Sequence, residues 1–138
     1  MFGFLFVLFG TSVADAFPAT HVVFYCTSPK KQKTIALYKQ GDNFIYQYGS
    51  ELSPPELQLI RSESEITKTP WPGIGHTYWN SITIENKGYS YAISSSYERN
   101  ESGKSSAGVY ISKGGKNIAS IECDTKTGFI DNITEIVE

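Results

Sequence analysis

"NSITIENKGYSYAISSS", residues 80–96, decides the fold. Ile82 and Ile84 alternate with polar neighbours, Asn86-Lys87-Gly88 supplies turn chemistry, and Tyr89, Tyr91 and Ile93 alternate on the way back. A period of two interrupted by a Gly-containing turn is the pattern of an antiparallel β-hairpin half-buried on one face.

The same pattern extends in both directions. On the C-terminal side, "GVYISKGGKNIASIEC" (108–123) reads as a second hairpin turned by Gly114-Gly115, with Ala119, Ile121 and Cys123 on one face of its return strand. On the N-terminal side, "HVVFYC" (21–26), "KTIALYK" (33–39) and "NFIYQYG" (43–49) are strand-like, and Gly41-Asp42 makes the last two a hairpin. Pro54-Pro55 stops that run, and "ELQLIR" (56–61) is a further strand with Leu57 and Leu59 facing inward. About eight short strands joined by tight turns predict an all-β domain, a single small antiparallel β-barrel or sandwich. Beyond it, Ile130, Ile133, Ile136 and Val137 fall at helical spacing, so a short C-terminal helix is expected, with Asp131 near its start.

Residues 1–16, "MFGFLFVLFGTSVADA", have the form of an export signal. An apolar run from Phe2 to Phe9 is followed by small and polar residues ending in Ala14-Asp15-Ala16, an A-x-A cleavage pattern, although no positive charge precedes the run. That run is too short to span a membrane as a helix, which takes roughly 20 apolar residues, and no other stretch approaches that length. Removing residues 1–16 from the 138 leaves 122, residues 17–138, enough for one domain with a modest core. The expected location is outside the cytoplasm, the periplasm first and the extracellular medium second.

Cys26 and Cys123 stand near the two ends of the mature chain. In an oxidising compartment they are most simply one disulfide, and the alternative is two free thiols. A bond there would join the first strand to the last, which suits a closed barrel.

Composition narrows the function. The net charge is −2 and no long Lys/Arg run exists, which argues against nucleic acid as a partner. Only His21 and His76 accompany the two cysteines, so no metal site and no cofactor are expected. Glu63 and Glu65 would share a face if extended, a pairing open to carboxylate chemistry, but a solvated edge is the plainer reading. Ser94-Ser95-Ser96 lacks the strand-turn-helix setting of a nucleophile elbow. Gly73 and Gly75 follow no strand and open no helix, so they form no phosphate loop. The chain is read as a non-enzyme. Two Asn-x-Ser/Thr sequons begin at Asn100 and Asn132.

"TPWPGIGHTYWNS" (69–81) breaks the strand pattern. Pro70 and Pro72 bracket Trp71, and Gly73 and Gly75 permit unusual backbone angles, which predicts a long, stiff excursion between Ile66 and Asn80. Trp71 and Trp79 either cap an open end of the barrel or anchor a partner. His76, Thr77 and Tyr78 are the residues expected to face outward, since rigid aromatic side chains serve protein interfaces well.

"FYC" at 24–26, "IGHTY" at 74–78, "NKG" at 86–88 and "IEC" at 121–123 occur in an order that resembles the bacterial periplasmic inhibitors of C-type lysozyme, the MliC/PliC-like group. Those proteins are small exported antiparallel β-barrels in which a loop of the form S-G-x-x-Y enters the lysozyme groove. The resemblance implies a protein partner, a lysozyme, bound through Gly75, His76, Thr77 and Tyr78. Gly75 and Tyr78 match the loop pattern, and His76 and Thr77 take its variable positions. Ile74 departs from it, standing where the family carries a serine that contacts a catalytic carboxylate. The segment after Cys123 is also longer than in the family. Rival readings are an immunity or binding protein against another exported toxin, a structural module of the envelope, or a small-ligand carrier if the interior holds an apolar cavity.

Overall fold

The computed structural model describes residues 19–100 and 103–138, so the leader read at 1–16 lies outside the described residues. Ten strands run in order: β1 (Thr20–Ser28), β2 (Lys33–Gln40), β3 (Asn43–Gly49), β4 (Leu57–Ser62), β5 (Thr67–Thr69), β6 (Thr77–Asn86), β7 (Tyr89–Glu98), β8 (Ser105–Lys113), β9 (Lys116–Glu122) and β10 (Ile130–Asp131), followed by helix α1 (Ile133–Val137). The deciding hairpin is β6–β7, with Ile82 opposite Ile93 and Ile84 opposite Tyr91. Lys87 and Gly88 both take positive φ, 53° and 85°, the two-residue turn whose twist matches the flanking strands. Gly114 and Gly115 turn β8 into β9 in the same way.

The strands make two antiparallel sheets, β10-β1-β2-β3-β4 and β5-β6-β7-β8-β9. The architecture is therefore a sandwich, and the closed barrel is not formed. The chain changes sheets between β4 and β5, where "ESE" (63–65) winds into a 3-10 turn instead of continuing as strand. The Cys26–Cys123 disulfide is formed. Because Cys26 lies in one sheet and Cys123 just past the other's β9, the bond staples sheet to sheet rather than closing a cylinder.

Alternation places Ile35, Leu37, Phe44, Tyr46 and Leu59 on the inner face of the first sheet, against Ile82, Ile84, Ile93, Val109 and Ile121 of the second. Each such side chain contributes on the order of 1.5–3 kcal/mol on burial. Leu57 packs at the edge of this core as expected, whereas Ala119 stays exposed beside an irregularity in the β8–β9 ladder.

A bulge at Val23 shifts the β1–β2 register and buries both Val23 and Phe24. It also frees the Val23 carbonyl to accept the Asn132 N–H at 2.7 Å, while the Asn132 side chain donates to the Val22 carbonyl at 3.0 Å. The sequon asparagine at 132 is thus a structural clip. These bonds seat α1, whose buried Ile133 and half-buried Ile136 and Val137 close one end of the core. The helix starts later than its apolar spacing predicted. Ile130 pairs with Tyr25 as part of β10, and Asp131 Oδ1 accepts the Ile133 N–H at 3.1 Å.

Candidate functional site

The excursion from β5 to β6 is shorter than the sequence predicted, residues 70–76, because Thr67–Thr69 and Thr77–Asn80 pair as strand. Trp71 organises it. Its backbone N–H donates to Asn80 Oδ1 at 3.1 Å, and its indole Nε1–H donates to the Ile74 carbonyl at 3.0 Å, folding the chain back on itself. The ring stands 5.1 Å from that of Tyr78, and the Arg99 guanidinium lies 4.8 Å from the indole centroid. A cation over an indole contributes roughly 0.5–1 kcal/mol at a partly exposed site. The Arg99 N–H donates to the His76 carbonyl at 2.7 Å, so Arg99 braces the loop from its other side.

Beneath the loop, Asn80 is 1% exposed and uses both ends of its amide. Its Nδ2 donates to Thr134 Oγ1 at 2.9 Å, while its oxygen receives Trp71. The Tyr78 hydroxyl donates to Glu138 Oε2 at 2.9 Å and lies 3.4 Å from Thr134 Oγ1. A polar chain thus runs from the loop through β6 into α1, in a setting where each unmade bond carries a desolvation cost.

Above this base the tip is in solvent. Pro72, Gly73, Ile74, Gly75, His76 and Thr77 are all exposed, and Ile74 is 77% exposed, the most exposed large apolar side chain among the described residues. Gly73 and Gly75 take φ of +87° and +97° with open space where a Cβ would stand. The backbone angle requires glycine there; crowding does not.

The four residues read as the contact set therefore divide. Gly75, His76 and Thr77 are at the exposed tip, whereas Tyr78 is half-buried at the base with its hydroxyl engaged. Neither tryptophan plugs the core. Trp71 packs on Tyr78 and Arg99, and Trp79 falls on the face of β6 opposite Ile82, half-exposed beside Ser96. The end of the sandwich is closed by α1, Asn80 and Tyr78 instead.

The other candidate groups have structural occupations. Glu65 Oε1 accepts the Ser62 N–H and hydroxyl at 2.8 and 2.9 Å, and Glu63 stands 3.9 and 3.8 Å from Lys39 and Lys68. Their 3-10 geometry does not place them side by side as a strand would. Among the described residues no cluster of His, Cys, Asp and Glu is arranged to hold a metal ion, and no helix is long and apolar enough to cross a membrane.

Sequence reasoning missed Ile74 as the apex and Arg99, Asn80 and Glu138 as supports. Ile74 stands out in the sequence only as a departure from the S-G-x-x-Y pattern. The supports come from elements 9 to 67 residues along the chain from Trp71, beyond any local pattern. No protein-family model, curated protein or solved structure matches the chain.

Proposed function

We propose that the chain is an exported inhibitor that occludes the active-site groove of a lysozyme-like cell-wall hydrolase with its 70–77 loop. The observation that carries this reading is the contrast within the loop. An exposed tip bearing Ile74, His76 and Thr77 stands on a base immobilised by Trp71, Asn80, Tyr78 and Arg99. A tip ordered before binding loses little conformational entropy on docking, and an apolar knob flanked by hydrogen-bonding groups fits a groove built for a sugar chain. Glycosidases cut between two carboxyl groups; on this reading Thr77 and His76 donate toward such groups while Ile74 excludes water and substrate. Tyr78 acts here as a positioning residue, since Glu138 already holds its hydroxyl. The disulfide and the leader-like first sixteen residues support export, and a periplasm is where such a hydrolase would be met.

Calorimetric titration into a C-type lysozyme tests the reading, with and without an N-acetylglucosamine oligomer filling the groove. Binding weakened by the oligomer supports occlusion. Binding indifferent to it places the contact elsewhere, and no binding removes the lysozyme as target.

A further inference from the structure

A second feature, independent of the loop, lies toward the other end of the sandwich. A cleft of about 320 Å³ opens between the sheets, lined by Tyr46 and Tyr48 of β3, Leu57 of β4, Tyr91 of β7, Ile111 of β8 and Ile121 of β9. Tyr46 and Tyr91 place their rings 5.9 Å apart at 39°, and the three aliphatic side chains complete an apolar lining.

Tyr46 is 1% exposed, yet among the described residues its hydroxyl has no hydrogen-bond partner. Among the described residues only Ser28 Oγ is both sealed from solvent and without a partner, so the Tyr46 hydroxyl keeps a small access to solvent. The cleft is therefore where this hydroxyl meets solvent or a ligand. A phenol with so little access to water and no protein partner gives up part of its hydrogen bonding, at a cost of up to about 1–3 kcal/mol, which phenylalanine in the same space would not carry. Burial, then the neighbouring Tyr48 and Tyr91, push the Tyr46 phenol above the ordinary tyrosine range, so it remains a neutral donor at any physiological pH. At the rim, Lys33 Nζ and Glu56 Oε2 are 2.7 Å apart, and the same ammonium lies 5.7 Å from the Tyr48 ring centroid. The two rim charges neutralise each other, so the cleft offers no net attraction to an anion or a cation.

We infer that this cleft binds a small neutral ring compound, apolar in body, with a carbonyl or ether oxygen that accepts a hydrogen bond from Tyr46. Aromatic walls on both sheets suit a flat ring, the aliphatic residues exclude water from it, and the unpaired phenol fixes its polar end.

The probe is the neutral naphthyl ketone 6-propionyl-2-(dimethylamino)naphthalene, whose emission shifts to the blue when it leaves water. Titrated into the intact protein, it should give a saturable one-site blue shift. Tyr46→Phe, which keeps the ring and the fold, should weaken that affinity about 5- to 10-fold, the equivalent of one net hydrogen bond. Ile111→Trp, which fills the cleft, should abolish the saturable signal; Ile121→Trp serves the same purpose if the first variant melts early. The loop variant Ile74→Glu should bind the probe like wild type. The inference is overturned by absence of a saturable signal in wild type, by equal affinity in Tyr46→Phe, or by a signal that survives in the filled variants.

Discussion

The Tyr78 hydroxyl donates a 2.9 Å hydrogen bond to Glu138 Oε2, tying the start of β6 to the residue that follows α1. The exposed loop and the C-terminal segment therefore share one support, and a change at either end is felt by the tip. Tyr78→Phe removes the bond but leaves the ring on Trp71. Because Glu138 is exposed and regains water, the cost is expected at about 0.5–1 kcal/mol. Urea unfolding reads that loss, and target affinity should drop only a few-fold. A large loss of affinity with unchanged stability would instead place the Tyr78 hydroxyl in the interface.

Asn80→Ala should be far more damaging. It strands the Trp71 N–H and the Thr134 hydroxyl, both partners of a fully buried amide, and a loss of about 2–3 kcal/mol is expected in urea melts. An effect under about 0.5 kcal/mol would mean that the polar chain beneath the loop is not what holds it.

The disulfide closes 97 residues of chain, and in the chain-entropy model a loop of that length stabilises by about 4–5 kcal/mol. Replacing both Cys26 and Cys123 by serine should cost that order of stability in guanidinium unfolding, and wild type under reductant should fall to the same curve. Coincident curves for oxidised and reduced wild type would contradict the staple.

The Lys33–Glu56 pair gives a pH signature. The hydrogen bond from Lys33, followed by that from the Ser50 N–H, holds the Glu56 carboxyl below its ordinary value of 4.5, and the same bond holds Lys33 above 10.5. A lowered carboxyl contributes stability that is complete above its unfolded-state value and is lost as pH falls through the folded one. A raised ammonium contributes stability that is complete below its unfolded-state value and is lost as pH rises through the folded one. Between about pH 5 and 10 the pair contributes fully, so the gap between wild type and Lys33→Met should be flat there and narrow on both sides. Both groups face solvent, so the gap should be small and should shrink in high salt. A gap that widens below pH 4 would reverse the sign of this assignment.

Much of the fold was legible because it is local. The alternation of Ile82, Ile84, Tyr91 and Ile93 around Lys87-Gly88 carries its own strand and turn information, and so do 33–49 and 108–123. What was not legible depends on partners. β5 and β10, three and two residues long, exist only because β6 and β1 offer free edges to pair with. Barrel and sandwich share one strand pattern, and the 3-10 turn at Glu63–Glu65 that separates the sheets is set by a Glu65–Ser62 capping contact inside what looked like an extended segment. At the site, the glycines and prolines announced a stiff loop. Which aromatic braces it is a long-range matter, because Trp71 takes its partners from Tyr78, Asn80 and Arg99, and alternation turns Trp79 to the opposite face from Tyr78.

The most direct test of the occlusion account is a cell-wall lysis assay with a C-type lysozyme in the presence of wild type and of Ile74→Glu. The substituted side chain is in open solvent, so stability should stay within about 0.5 kcal/mol of wild type. The account predicts inhibition by wild type and at least a tenfold weaker inhibition by the equally stable variant, since a charge is forced into an apolar contact. Unimpeded lysis at micromolar excess of wild type, or undiminished inhibition by Ile74→Glu, would contradict it.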